Sequence, residues 1–361
     1  MTLTEQNNLK KHRVIIYGAG GYGGVGLVEN LLTHPTVEIS ALVSREGAGS
    51  AYSHLYPHLK GQMDLVVEHA ESFEPKGRGD LVFFSTPDGV GQTLAKKYLD
   101  YGIKVIDFSG DFRFDNNETY RAYSAWQQGE ADHADASLLN ESIYGMVELN
   151  RDKIKETRVV GNPGCMAVSC LLALLPLCKE RLIKYDSIVC DVKTGISGAG
   201  KKPKPGFHFP AASENAYPYK IAKHQHIYEI EKNLTDAADT EVQIQFTPHV
   251  IPLVRGIIST NYCKLNKDVT EEDVEMAFEK LYKNDPFVTY HMNDGTLDLS
   301  RVKGSNRCDL GVFFDRRTHS LTVTSLIDNL QKGQSGNAVQ VMNLMLGCDE
   351  TAGLLNQTRY P

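Results

Sequence analysis

The spacing of apolar and polar positions defines the first element at Arg13–Tyr17 (RVIIY), a short β-branched run that breaks at Gly18-Ala19-Gly20-Gly21-Tyr22-Gly23-Gly24. An amphipathic stretch follows over Val25–Leu32 and closes at His34-Pro35, so the pattern predicts a strand, a glycine turn and a helix. Val37–Val43 predicts a second strand, and Asp80–Ser85 another, stopped by Thr86-Pro87. Lys104–Asp107 predicts a further strand behind a helix-like Gln92–Tyr101. Strands that alternate with helices in this way indicate a Rossmann-type, doubly wound parallel sheet of the α/β class.

Beyond about residue 160 the pattern changes. A helix over Cys165–Lys179 is followed by extended segments at Ser187–Lys193, Val242–Val250, Ile257–Leu265, Gly311–Phe314 and Ser320–Ile327. Runs of strands with few helices predict an α+β domain with a mixed or antiparallel sheet. The Gly/Lys/Pro-rich Gly198–Gly206 reads as a loop, and a final helical pattern covers Asn337–Leu346. A chain of 361 residues exceeds what one core usually supports. The expected division is therefore 1–160, 161–335 and a closing segment 336–361.

Composition narrows the class of protein. With 38 Lys and Arg against 45 Asp and Glu the formal charge is −7, and no run of like charges suggests a nucleic-acid or membrane-surface partner. Met1–Arg13 is polar and lacks a signal core or an arginine-rich presequence, so a cytoplasmic location is expected. The longest apolar run, Val168–Leu177, is too short to span a bilayer. Seven cysteines, an odd number without CxxC pairs, point to free thiols in a reducing compartment, and no Cys/His cluster has metal-ligand spacing.

Two segments carry the chemistry. Gly18-x-Gly20-x-x-Gly23, between a strand and a helix, has the context of a dinucleotide fingerprint, with Gly21 and Tyr22 inside it. The next strand ends in Val43-Ser44-Arg45, where an NAD site would usually place an acid; a hydroxyl and a guanidinium suit the 2′-phosphate of NADP. The second segment, Gly161-Asn162-Pro163-Gly164-Cys165, delivers a cysteine onto the first turn of an apolar helix, where peptide dipoles favour a thiolate. Its base is sought in His224 and His226. His54, His58 and His249 read as structural.

These residues resemble N-acetyl-gamma-glutamyl-phosphate reductases of arginine biosynthesis, within the aspartate-semialdehyde and glyceraldehyde-phosphate dehydrogenase superfamily. The resemblance spans nearly the whole chain. It rests on 18–24, on Asp107-Phe108-Ser109-Gly110-Asp111-Phe112-Arg113, on 161–165, on Ser197-Gly198-Ala199-Gly200 and on the His224/His226 pair. Phe246-Thr247-Pro248-His249 through Arg255-Gly256-Ile257 and Ile327-Asp328-Asn329-Leu330 with Lys332-Gly333 complete it.

The resemblance implies an NADPH-dependent reductive dephosphorylation of N-acetyl-gamma-glutamyl phosphate to the 5-semialdehyde through a thioester on Cys165. By it His224 is the acid/base and His226 a helper; Arg113, Ser197, Gly198 and Arg255 meet the substrate, the amides of 197–200 cradling an anion; Asn329 lies near the nicotinamide. It also implies that the last helix returns to the first domain, and that the enzyme is a homo-oligomer, a dimer or tetramer. The chain departs from the family at Met166 and Val168, where an aromatic residue and a threonine are usual, and at Asp88, where histidine is commoner. Such changes bear on the substrate more than on the reaction. The same chemistry on an aminoadipyl or glutamyl phosphate held by an acidic carrier protein is an alternative, for which Lys201, Lys202, Lys204, Lys220 and Lys223 offer a basic rim. A cysteine hydrolase and a non-catalytic NADP-binding regulator are remoter alternatives.

Overall fold

The computed structural model describes residues 11–127 and 131–355; Met1–Lys10, most of the segment read as lacking a leader, lies outside them. The chain forms two compact units. One is carried by residues up to 125, then by those to 163, and by a return from 334; the other is carried chiefly by 164–333.

The first unit is built on strands β1 (His12–Tyr17), β2 (Val37–Ser44), β3 (Glu68–His69), β4 (Leu81–Phe84), β5 (Lys104–Asp107), β6 (Ile143–Tyr144) and β7 (Val159–Gly161). Their order is β3-β2-β1-β4-β5-β7-β6, and every pairing is parallel. Strands covered on both faces need continuous apolar runs, and Val14–Ile16 and Leu81–Phe84 are wholly buried. The strand order reverses between β1 and β4. Ligands of doubly wound sheets sit outside the carboxyl ends of the strands at that point, which here means Gly18 and Ser85. Helices α1 (Tyr22–Leu31), α2 (Val90–Asp100), α3 (Asn117–Gln127) and α4 (Val147–Glu156) complete the crossovers. Helix α1 starts three residues earlier than its amphipathic pattern, because the fingerprint glycines themselves join the first turn.

The second unit holds a mixed sheet of β8 (Ile188–Thr194), β9 (Tyr217–Pro218), β10 (Ile244–Val250), β11 (Ile257–Lys264), β12 (Val288–Met292), β13 (Cys308–Asp315) and β14 (Ser320–Ile327). They lie in the order β12-β13-β14-β11-β8-β10-β9, antiparallel at the centre and parallel at β8/β10 and β12/β13. Buried residues alternate with half-buried ones along β8 and with half-buried or exposed ones along β11, so one face meets helices and the other does not. On the covered face runs α5 (Cys165–Lys179), flanked by α6 (His226–Ala238) and α7 (Glu271–Tyr282). Every residue of α5 from Met166 to Cys178 is buried, so it is apolar all round rather than amphipathic. Ser169 Oγ meets Ser259 Oγ at 2.9 Å and Ser325 Oγ at 3.1 Å, seating the helix on β11 and β14. A last helix, α8 (Gly336–Leu346), belongs to the first unit and packs on α1 and α4. Arg151 on α4 pairs with Glu350 at 2.9 Å just beyond it.

Candidate active site

The glycine turn is tied down before any ligand is considered. The amides of Gly18 and Ala19 both donate to Val43 O, at 2.8 and 3.1 Å, and Gly18 takes φ +91°. A side chain there would strike Ser85 O. Tyr52 and Tyr56 donate to Ala19 O and Gly20 O at 2.8 and 2.9 Å, a clamp invisible in the sequence because it comes from an intervening helical turn. A Cβ on Gly20 would lie 2.9 Å from Ser44 Oγ, and one on Gly23 2.5 Å from Ser85 Oγ. Glycine is therefore required at 18, 20 and 23 by these close approaches, Gly21 is left open at the first turn of α1, and such a turn fits the pyrophosphate of a dinucleotide.

The end of β2 is more mixed than its sequence suggested. Ser44 is buried and its Oγ accepts the Glu46 amide at 3.1 Å. Arg45 extends into solvent and pairs with Glu71 at 3.5 Å. Glu46 brings a carboxylate oxygen 3.2 Å from the Cβ position of Gly20, an acid beside the turn that the sequence reading did not single out.

In the second unit Cys165 occupies the first position of α5, behind the N-cap Gly164. No side chain of α5 caps it; instead the Gly164 amide donates to Glu229 Oε1 at 2.7 Å, from the first turn of α6. Glu229 is fully buried. A Cβ on Gly164 would fall 2.2 Å from His226 Nε2, so the imidazole lies on the residue just before the cysteine. Gly333 approaches from the other side, where a Cβ would come within 2.7 Å of Cys165 Cβ. Only glycines allow these two approaches.

His224 is placed differently. Its ring packs against Phe246, Tyr219 and His226, with centroids 5.4, 5.6 and 4.6 Å away. Its Nδ1 accepts the His226 amide at 3.2 Å, which puts its own proton on Nε2. Burial, then the neighbouring His226 and Lys220, push it down to about 2 against the pull of Glu229, so it stays neutral. Tyr219, which the sequence reading overlooked, reaches Met166 Sδ with its hydroxyl at 4.0 Å. Its phenol is pushed up by burial and then by Cys165.

A third group surrounds Arg255. Its Nε and Nη2 bind Asp328, with Nε to Oδ2 at 3.1 Å and Nη2 to Oδ1 at 3.2 Å. Asn329 accepts the Gly256 amide at 2.7 Å and donates to Ser197 Oγ at 2.9 Å, using both ends of its side chain within this unit. Of the four amides of 197–200 expected to cradle an anion, those of Ser197, Gly198 and Gly200 donate to Val254 O, Gly195 O and Ser197 O, in and around a 3-10 turn over Ile196–Ala199. What Ser197 still presents is its hydroxyl.

Arg113 lies in the first unit, where Nε donates to Asn162 O at 2.9 Å and Nη2 to Phe108 O at 2.7 Å. It braces the backbone that leads toward the cysteine. Within the same motif Asp111 accepts the amides of Gly89 and Gln92 at the start of α2, and Asp107 is fully buried beside Ser109. Among the described residues no group of three or more His, Cys, Asp or Glu side chains is placed to hold a metal ion, and no helix is long and apolar enough to cross a membrane.

Comparison with known proteins gives these groups a context. Residues 13–157 match the family model "Semialdehyde dehydrogenase, NAD binding domain", and 165–329 match "Semialdehyde dehydrogenase, dimerisation domain". An N-acetyl-gamma-glutamyl-phosphate reductase of Gloeobacter violaceus is 42% identical over 354 residues, 98% of this chain and 99% of that protein. One of Bacillus cereus is 38% identical over 348 residues, 96% of this chain and 99% of that protein. Among solved structures, aspartate semialdehyde dehydrogenase II of Vibrio cholerae superposes with a TM-score of 0.71 at 17% identity, covering 94% of this chain and 99% of that one. The Candida albicans enzyme, solved with NADP, gives 0.63 at 16%, over 93% and 99%. The chain belongs to the N-acetyl-gamma-glutamyl-phosphate reductase family of semialdehyde dehydrogenases.

Proposed function

We propose that this oxidoreductase of the NAD(P)-binding semialdehyde dehydrogenase family reduces N-acetyl-gamma-glutamyl phosphate to N-acetylglutamate 5-semialdehyde, with NADPH as the reductant. The observation that carries the reading is Cys165 on the first turn of a buried helix, between Gly333 and the Gly164 that seats His226. In this reading residues 1–160 and 336–361 hold the nucleotide and 161–335 carry the chemistry. The names of the relatives favour the free N-acetylated substrate over a carrier-linked one.

The sulfur of Cys165 attacks the acyl carbon, the C–O bond to phosphate breaks, and inorganic phosphate leaves with the electron pair. A thioester remains on the enzyme. When bound at the glycine turn, the dinucleotide supplies the hydride that reduces this carbonyl. A histidine then protonates the oxyanion that results, giving a neutral hemithioacetal, and takes that proton back as the C–S bond breaks, which releases the aldehyde and restores the thiolate. Packing favours His226 for the proton: its Nε2 lies against Gly164, whereas His224 spends Nδ1 on the His226 amide and positions it. Arg255, anchored by Asp328, and the hydroxyl of Ser197 supply charge and a donor for the substrate's anions. Arg45 and Ser44 are the residues through which a 2′-phosphate is recognised. The name of the model matched over 165–329 supports a homo-oligomer.

The test is the reverse reaction: reduction of NADP by purified protein with N-acetylglutamate 5-semialdehyde and inorganic phosphate, beside Cys165→Ala. Phosphate-dependent turnover that disappears in the variant is expected. Turnover independent of phosphate, or retained in the variant, would overturn the assignment.

A further inference from the structure

Two backbone segments of the second unit run side by side below Arg255. The amides of Gly195, Ile196 and Ser197 donate to Gly256 O, Leu253 O and Val254 O at 2.9, 2.8 and 3.1 Å. Asn329, 2% exposed and two residues beyond β14, bridges them through its side chain. Its Oδ1 accepts the amide of Gly256 at 2.7 Å, and its Nδ2 donates to Ser197 Oγ at 2.9 Å.

The sense of these bonds is forced. A backbone N–H can only donate, so Gly256 fixes which end of the Asn329 amide is oxygen, and the nitrogen must then face Ser197. Ser197 Oγ therefore accepts, and its own proton is left for another acceptor. Ser197 is only half-buried, so that acceptor has a way in. Arg255, one residue before Gly256, is held in a similar way. Asp328, wholly buried, takes Nε and Nη2 and also accepts the amides of Gly304 and Leu330 at 2.7 and 2.8 Å, while among the described residues none of the bonds of Arg255 uses Nη1. Adjacent residues 328 and 329 thus hold one cation and one hydroxyl, each with a donor to spare.

We infer that Asn329 is a positioning residue: by donating to Ser197 it turns that hydroxyl's proton, beside Arg255, toward an oxyanion of the substrate. The inference rests on the proposed reaction, whose substrate has two such groups, the phosphate and the side-chain carboxylate.

The experiment reads steady-state constants in the reverse direction, with aldehyde, NADP and inorganic phosphate varied in turn. Asn329→Asp keeps the shape but replaces the donor by an acceptor, so Ser197 would give its proton to the new carboxylate and present lone pairs to the anion. Asn329→Asp is expected to raise one anion's KM about tenfold, the cost of one charge-assisted hydrogen bond, with kcat changed less than about threefold. A rise for phosphate assigns the phosphate subsite; a rise for the aldehyde assigns the carboxylate. Ser197→Ala should do the same, and adding Asn329→Asp to it should change nothing further. Multiplicative effects in the double variant, or a fall in kcat with all KM values raised alike, would overturn the inference. Should Asn329→Asp fail to fold, Asn329→Ala carries the same test, with about a threefold rise and again no effect on the Ser197→Ala background. Lack of phosphate-dependent turnover in the wild type would refute the reaction instead. Calorimetric titration with inorganic phosphate and with N-acetylglutamate then decides on Asn329: weaker binding of one ligand by Asn329→Asp supports its role, and unchanged binding of both overturns it.

Discussion

Two of the helices that begin behind a glycine have opposite surroundings. Helix α1 starts after Gly21 and α5 after Gly164; both N-caps are extended, neither has a side-chain cap, and neither first turn carries an acid. Each thus concentrates the positive end of a helix dipole. At α1 the space beside the N-cap is open, and the nearest atom to a Cβ on Gly21 would be Gly18 O at 3.9 Å. At α5 the surroundings are full, with Glu229 on the Gly164 amide and the His226 ring against its α-carbon. A helix start left open suits an exchangeable anionic ligand. One closed by resident groups suits a fixed nucleophile, and the difference is made by tertiary neighbours rather than by the helix.

The largest effect that probes this contrast is at the cysteine itself. Cys165→Ala should lower turnover by about 10⁴-fold or more, as loss of a nucleophile does, while a fluorescence titration shows dinucleotide binding unchanged. The two N-cap glycines sharpen the comparison further. Gly164→Ala drives a methyl group into His226 and should reduce kcat by about 100-fold, the scale of an ångström-level misplacement. Gly21→Ala, with no protein atom near enough to clash, should shift stability by no more than about 0.5 kcal/mol. Equal losses at both positions would break the distinction.

Smaller effects follow from the same contrast. Glu229→Ala leaves the Gly164 amide buried without an acceptor and should cost about 1–3 kcal/mol in a urea titration. Arg45→Ala removes only an exposed ion pair, so stability should move by less than about 0.5 kcal/mol. If Arg45 meets the 2′-phosphate, the preference for NADP over NAD should nevertheless fall about tenfold. His224 gives the most gradual signal. Its native pKa lies near 2 against an unfolded value of 6.5, so the unfolded chain binds the extra proton as pH drops. Stability present above pH 6.5 is therefore lost progressively below it. His224→Gln should flatten that slope, leaving the part due to His34 and His133, which burial also pushes down.

What could be read from the sequence follows the same division. β5, α5 and β14 fall where their apolar patterns placed them, because each is continuous and bounded by turn residues. The glycine turn was legible because its geometry is local. Short strands such as β6 and β7, and edge strand β12, were not, since two to five residues carry too little pattern to separate them from loop. At the site, Cys165 and the histidine pair stood out by residue type. Glu229, Tyr219 and the Tyr52/Tyr56 clamp did not, for their meaning lies in contacts made across tens of residues. At 197–200 the pairing of the amides was not legible either: a glycine-rich stretch shows that amides are accessible to a turn, not that the carbonyls of Val254, Gly195 and Ser197 will claim three of them.

The most direct test of the account is to mix the enzyme with N-acetyl-gamma-glutamyl phosphate in the absence of NADPH, quench, and examine the intact protein and its peptides by mass spectrometry. One acyl group on Cys165, formed with release of one equivalent of phosphate and discharged as aldehyde on adding NADPH, is the predicted result. Phosphate release without an adduct, or an adduct that persists in Cys165→Ala, would contradict it.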